Sequence, residues 1–193
     1  MTRANNQLRI IGGQFRGRRL PFAEQPGLRP TPDRVRETLF NWLAPVICGA
    51  RCLDAFAGSG ALGFEALSRG SGEVVLLERA APVARQLLAN AHTLGIAKRI
   101  EIVHTDTLQW LAGAGRPFDV VFLDPPYSAD LLAPAVTLLA SNGWLAPGAR
   151  VYLEIASSSY FPTLPVGWEL LRDKTAGQVR YVLALVKSHP ADA

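Results

Sequence analysis

From residue 52 onward, short apolar runs alternate with stretches in which apolar residues recur every three or four positions. Glu73-Val74-Val75-Leu76-Leu77-Glu78, Ile100-Glu101-Ile102-Val103-His104 and Phe118-Asp119-Val120-Val121-Phe122-Leu123 are rich in β-formers with few polar interruptions, as strands buried on both faces must be. Strands are predicted near 51–55, 73–78, 100–104, 118–123 and 148–155. Helical spacing fills the intervals: 60–69 with Phe64 and Leu67 inward, 80–94 with Val83, Leu87 and Leu88 inward, and Leu131 to Leu139. Such alternation predicts an α/β fold, a mostly parallel sheet covered on both faces. Past Pro165 the period changes. Trp168-Glu169-Leu170-Leu171-Arg172 and the run from Val179 to Leu185 read as two strands joined by Asp173 to Gln178, a C-terminal antiparallel hairpin.

Ahead of this unit, Thr31-Pro32 reads as N-cap and first residue of a helix, and Val35, Leu39, Trp42 and Leu43 give it one apolar stripe. Residues 1–45 are thus expected to form a small β-hairpin and helix extension, and 46–193 the main α/β domain. Residues 1 to 51 hold nine Arg against three acids, whereas residues 52 to 193 hold eleven Lys/Arg against thirteen acids, so the net charge is positive only in the N-terminal part. Arg pairs with phosphate as a planar fork and stacks on bases. Arg16, Arg18 and Arg19 cluster around Gly12, Gly13 and Gly17, which would let a β-ribbon bend onto a nucleic-acid backbone, and Arg29 and Arg34 extend that surface.

Two positions carry candidate chemistry. The run 118–123 must stop at Asp124, because Pro125 and Pro126 remove two backbone donors and fix φ. Asp124 and the Pro125 carbonyl then supply acceptors and Tyr127 a π-face, a set suited to a flat base with an exocyclic amine; the four residues also fit a strand end closed by a proline turn. The second position is Cys52-Leu53-Asp54-Ala55-Phe56-Ala57-Gly58-Ser59-Gly60, a strand running through a glycine turn into a helix, where backbone can approach a ligand closely. It has neither the Lys-Ser/Thr ending of a P-loop nor the full spacing of a dinucleotide fingerprint. Glu78, ending the next strand, is placed as a ribose-diol ligand. Asp106 lies at the same sheet edge, where it would meet an adenine amine or cap the helix of Thr107 to Leu111.

Cys48 and Cys52 lack Cys-x-x-Cys spacing and a nearby His, so both read as small core residues, and His92, His104 and His189 are scattered; no metal is expected. The longest apolar stretches, Ala133 to Ala140 and Val179 to Val186, fall far short of the roughly 20 residues that cross a bilayer. The opening residues Met1 to Asn6 lack an apolar signal core, so a cytoplasmic protein is expected.

Taken together, Ile10-Ile11-Gly12-Gly13-Gln14-Phe15-Arg16-Gly17-Arg18, the segment Leu28 to Leu43, Asp54 to Gly63, Asp124 to Tyr127, Asn142-Gly143-Trp144-Leu145 and Ala176-Gly177-Gln178-Val179 resemble the class I S-adenosylmethionine-dependent methyltransferases. Within them the chain is similar to the RsmD-type guanine-N2 methyltransferases of small-subunit ribosomal RNA. Phe15 departs from the Trp expected there, one aromatic for another. The resemblance implies a Rossmann-like seven-stranded sheet and S-adenosyl-L-methionine as cofactor, held by Asp54, Phe56, Ala57, Gly58, Ser59, Gly60, Glu78, Arg79, Asp106 and Thr107. It also implies that the Arg-Pro-Thr segment ending at Thr31 borders the methyl-donor pocket, and that Asp124, Pro125, Pro126 and Tyr127 hold a flipped guanine of 16S rRNA. A monomer acting on the small subunit or an assembling ribonucleoprotein particle follows from the same likeness. An adenine-N6 DNA methyltransferase would use the same corner, and a non-catalytic RNA-binding assembly factor would keep the fold.

Overall fold

A computed structural model describes residues 6–23, 31–126 and 130–187. Five strands, β3 (Arg51–Asp54), β4 (Glu73–Glu78), β5 (Ile100–His104), β6 (Phe118–Leu123) and β7 (Leu145–Ala156), run parallel. The antiparallel pair β8 (Trp168–Ala176) and β9 (Val179–Val186) completes a seven-stranded sheet of order β5-β4-β3-β6-β7-β9-β8. Helices α2 (Ala61–Ser68), α3 (Ala81–Leu94), α4 (Thr107–Leu111) and α5 (Leu132–Ser141) fill the connections, preceded by β1 (Gln7–Arg9), β2 (Arg19–Pro21) and α1 (Asp33–Leu43). Successive residues on a strand face opposite ways. Cys52, Val74, Val120 and Phe122 therefore pack under α1, α2 and α3, while Leu53, Val75, Val121 and Leu123 pack under α4 and α5. No helix among the described residues is long and apolar enough to cross a membrane.

Several expectations shift. The strand read at 148–155 begins three residues earlier, at Leu145. The polar residues 173–176, read as hairpin loop, instead extend β8, because this edge strand leaves most of its side chains in water and Gly177, at φ +61°, lets Ala176 and Val179 pair across a two-residue turn. Leu88 is exposed rather than inward, since α3 turns only Val83, Ala84, Leu87, Asn90, Ala91 and Leu94 to the sheet. Cys48 is exposed, and only Cys52 is a core residue. Pro32, not Thr31, is the N-cap of α1, and no side chain caps that end.

The N-terminal segment packs into the same core as the seven-stranded sheet. Leu8, Ile10 and Leu20 of the hairpin and Val35, Leu39, Phe40 and Leu43 of α1 join Phe64, Leu76 and Phe122 in one cluster, and the Phe40 and Phe122 rings lie 5.8 Å apart. Polar contacts fix the register. Glu65 of α2, at 0% exposure, accepts from Ile11 N–H at 2.9 Å, Gly12 N–H at 2.8 Å and Arg69 Nε at 2.7 Å, with Arg36 Nη1 at 3.7 Å. Ser68 donates to the Gly12 carbonyl and accepts from Phe15 N–H. Gly12 and Gly13, expected to bend the ribbon toward RNA, make this internal approach: a Cβ on Gly13 would lie 1.8 Å from the Ser68 carbonyl oxygen.

Removing the shared acceptor would leave the buried Arg36 and two backbone donors without it. Glu65→Ala is expected to lower unfolding free energy by about 3–5 kcal/mol, read from urea transitions at constant slope; a loss below about 1 kcal/mol contradicts this role.

Candidate active site

The chain builds the sheet outward from β3 through β4 to β5, then returns to lay β6 on the other side of β3. Such a reversal opens a crevice at the carboxyl ends of the two strands. Four carboxylates collect along that edge: Asp54 ends β3, Glu78 ends β4, Asp106 follows β5 and Asp124 follows β6.

Between β3 and α2 the loop turns through Gly58 at φ +48° and Gly60 at φ +78°, and a Cβ on Gly60 would meet the Phe64 ring at 2.4 Å. Asp54, at 2% exposure, accepts from Gly63 N–H at 3.1 Å, so it caps the first turn of α2 from the strand below. Glu78 accepts from Gly58 N–H at 3.0 Å and Ala80 N–H at 2.7 Å. The Gly58 N–H, a loop donor that could have received a phosphate, is thereby committed to a carboxylate, and Gly60 N–H is bonded to the Ala57 carbonyl. Burial pushes the Asp54 carboxyl up to about 7, the Glu78 charge adds to the rise, and the Gly63 and Phe56 N–H groups oppose it.

Asp124 is partly exposed and accepts from the Thr31 hydroxyl at 3.1 Å. Its carboxyl is held well above the usual carboxylate range, first by desolvation, then by Glu154 and more weakly by Asp54, against the Thr31 hydrogen bond. The parallel register Leu123↔Leu153 sets Asp124 beside Glu154 on the next strand. Glu154 is 2% exposed and accepts from the Tyr152 hydroxyl at 2.5 Å. Sequence reasoning placed Thr31 as a helix cap and passed over Glu154. Its signal was an acid inside the apolar run Val151-Tyr152-Leu153-Glu154-Ile155, next to the strand that ends at Asp124.

The other candidates divide into two groups. At the carboxyl edge, Ala57 donates to the Leu77 carbonyl at 3.0 Å, the Thr107 hydroxyl donates to the Ala55 carbonyl, Ser59 is buried, and Phe56 packs on the α4/α5 side. Asp106 is the N-cap of α4, accepting from Gln109 N–H at 3.1 Å, and the exposed Arg79 meets His104 Nε2 through its carbonyl at 3.0 Å. Pro125 is buried and Pro126 exposed. On the N-terminal segment, Arg16, Arg18, Arg19 and Arg34 are exposed, with Arg18 reaching the Thr93 carbonyl at 3.4 Å. Tyr127 and Arg29 lie outside the described residues.

The donor set fits S-adenosylmethionine. A diol, an exocyclic amine, an ammonium group and a sulfonium charge are all complemented by carboxylates, whereas a pyrophosphate would be repelled by the acids that already occupy the glycine loop.

A family model described as "Conserved hypothetical protein 95" matches residues 8–185. The chain is 52% identical over 179 residues, 93% of its length and 90% of the relative's, to "Ribosomal RNA small subunit methyltransferase D" of Escherichia coli K12. The Haemophilus influenzae protein of the same name is 48% identical over 183 residues, covering 93% of this chain and 94% of the relative. A solved structure from Escherichia coli superposes with TM-score 0.90 at 48% identity, covering 95% of this chain and all of that one.

Because the folded Asp54 binds its proton up to about pH 7 and an unfolded Asp releases it near pH 3.8, Asp54 lowers stability progressively as pH rises through that window. Asp54→Asn, which stays neutral, should therefore gain stability relative to the unsubstituted protein between pH 5 and pH 7, by up to about 1.4 kcal/mol per pH unit. Urea titrations at a series of pH values check this, and a pH-independent difference contradicts it.

Proposed function

The chain belongs to the RsmD family of S-adenosylmethionine-dependent ribosomal RNA methyltransferases, and on that premise we propose that it methylates the exocyclic N2 of one guanine in 16S rRNA, extruded from its stack and held by Asp124, Pro125, Pro126 and Tyr127. The observation that carries this reading is the Thr31–Asp124 hydrogen bond, which joins the arginine-bearing segment to the corner at the switch point.

S-adenosylmethionine supplies an electrophilic methyl group on a sulfonium centre. Glu78 would hold the ribose diol and Asp106 the adenine amine, with Asp54, Phe56, Ala57, Gly58, Ser59, Gly60, Arg79 and Thr107 forming the remaining wall. A guanine N2 lone pair is delocalised into the ring and attacks weakly until it is oriented. Asp124 accepts one N2–H, the Pro125 carbonyl the other, and Tyr127 stacks on the ring. Holding reactants near attack geometry is worth roughly 7–11 kcal/mol in favourable cases. As the N–C bond forms, the amine must lose a proton. Asp124, as the carboxylate that accepts from this amine in the proposed complex, is the group placed to take it.

Outside the pocket, Arg16, Arg18, Arg19, Arg29 and Arg34 would hold phosphates flanking the target and offset the few kcal/mol of unstacking. The substrate would be the small subunit or an assembling particle, met in the cytoplasm by a monomer.

Asp124→Ala is expected to reduce single-turnover methyl transfer to small subunits by at least a thousandfold, while calorimetry finds S-adenosylmethionine affinity within a few-fold. Lost cofactor binding, or retained transfer, contradicts the role given to Asp124.

A further inference from the structure

The loop after β7 carries an aromatic ring with no structural duty. Its start is tied down by Ser157 N–H on the Gln178 carbonyl at 2.8 Å and by Ser159 N–H on the Ala156 carbonyl at 2.9 Å. Two residues further, Phe161 packs against the α4/α5 side of the core, and Arg180 lies over its ring at 4.8 Å while making two bonds, 3.1 and 2.7 Å, to Asp173. Between these anchors Tyr160 is 89% exposed. Fixed neighbours on both sides hold a large, flat side chain in water, where it forgoes the burial that aromatic rings ordinarily obtain.

Tyr160 lines, together with Pro125 and Pro126, a cavity of about 660 Å³. Ser159, Thr137 and Thr163 add hydroxyls, and the ionisable residues among the described lining are Asp130 and Glu154. A wall with acids and no Lys or Arg repels phosphate. It suits a flat, uncharged group carrying N–H donors.

We propose that this cavity is a second nucleobase subsite, in which Tyr160 stacks on the base neighbouring the methylated nucleotide. The inference rests on the proposed extrusion of the target at Asp124. Extrusion strips the neighbouring base of a stacking partner, and Tyr160 supplies a replacement in a cavity that shares the same proline corner. The contact selects for a base next to the target rather than for the phosphate chain, so its contribution to binding is insensitive to salt.

The test uses rRNA fragments with 2-aminopurine beside the target guanine, bound to the full-length protein and to its Asp124→Ala form. Stacking on an aromatic is worth about 1–3 kcal/mol per base, or roughly 5- to 150-fold in affinity. Tyr160→Ala should weaken fragment binding by that range and abolish quenching of 2-aminopurine fluorescence. Tyr160→Trp should restore both. The slope of log Kd against log salt should stay unchanged in the Tyr160 variants, whereas replacing Arg16, Arg18 and Arg19 together flattens it. Unchanged affinity and quenching in Tyr160→Ala would overturn the subsite, as would a defect seen only on protein-bearing subunits, which would mark a protein contact. Quenching by the Asp124→Ala protein needs no turnover. Intact quenching without methyl transfer by the unsubstituted protein would therefore count against the methylation reading alone, and intact transfer without quenching against the subsite alone.

Discussion

Helix α2 is buried along its whole length, so its ends must be satisfied by protein groups rather than by water. Asp54 takes a donor at its first turn, and Glu65 and Ser68 in its second half hold the loop of the N-terminal hairpin. One short helix thus fixes the glycine turn beneath the crevice and the arginine-bearing ribbon beside it. The buried Arg36–Glu65 contact is costly to desolvate and adds little as an attraction. Its effect is specificity, since a hairpin shifted by one residue would present the wrong backbone donors to Glu65.

Electrostatics divide the molecule along this helix. At the carboxyl edge of the sheet, Asp54, Glu78, Asp124 and Glu154 share a partly desolvated space, and desolvation first, with repulsion between the acids adding to it, raises proton affinity at Asp54 and Asp124. Exposed Arg16, Arg18, Arg19 and Arg34 stand on the N-terminal segment, away from these four acids in the chain, while Arg79, Arg85, Arg116 and Arg172 are exposed elsewhere. In the proposed reaction that division orients the substrate: phosphates stay on the arginines, and only an uncharged base with N–H donors enters among the acids. The same acidic edge complements a cationic methyl donor.

Much of this was legible in the sequence. The strand runs at 73–78, 100–104 and 118–123 have the bounds of β4, β5 and β6; β4 and β6 are buried on both faces and leave a near-continuous apolar record, whereas the edge strand β5, expected to be buried likewise, buries only Ile100 and was read from its β-branched residues. The edge strand β8 was shortened in the reading because its exposed residues Asp173 to Thr175 look like a loop. Asp124 could be singled out because two prolines force the strand to end there. Thr31 was read as a helix cap and, through the resemblance, as bordering the methyl-donor pocket, but its bond to Asp124 spans 93 residues and the place of Glu154 comes from strand register, neither of which leaves a local signal. Gly12 and Gly13 signalled a close backbone approach, but which surface they approach depends on where α2 packs.

The central claim is that a base amine at Asp124 accepts the methyl group, and the nucleoside produced tests it most directly. Unmodified small ribosomal subunits, naked rRNA and duplex DNA would each be incubated with labelled S-adenosylmethionine in a single turnover, digested, and resolved by chromatography and mass spectrometry. N2-methylguanosine from the ribosomal substrate is the expected product. N6-methyladenine in DNA, or cofactor binding with no transfer to any of the three, would contradict the account.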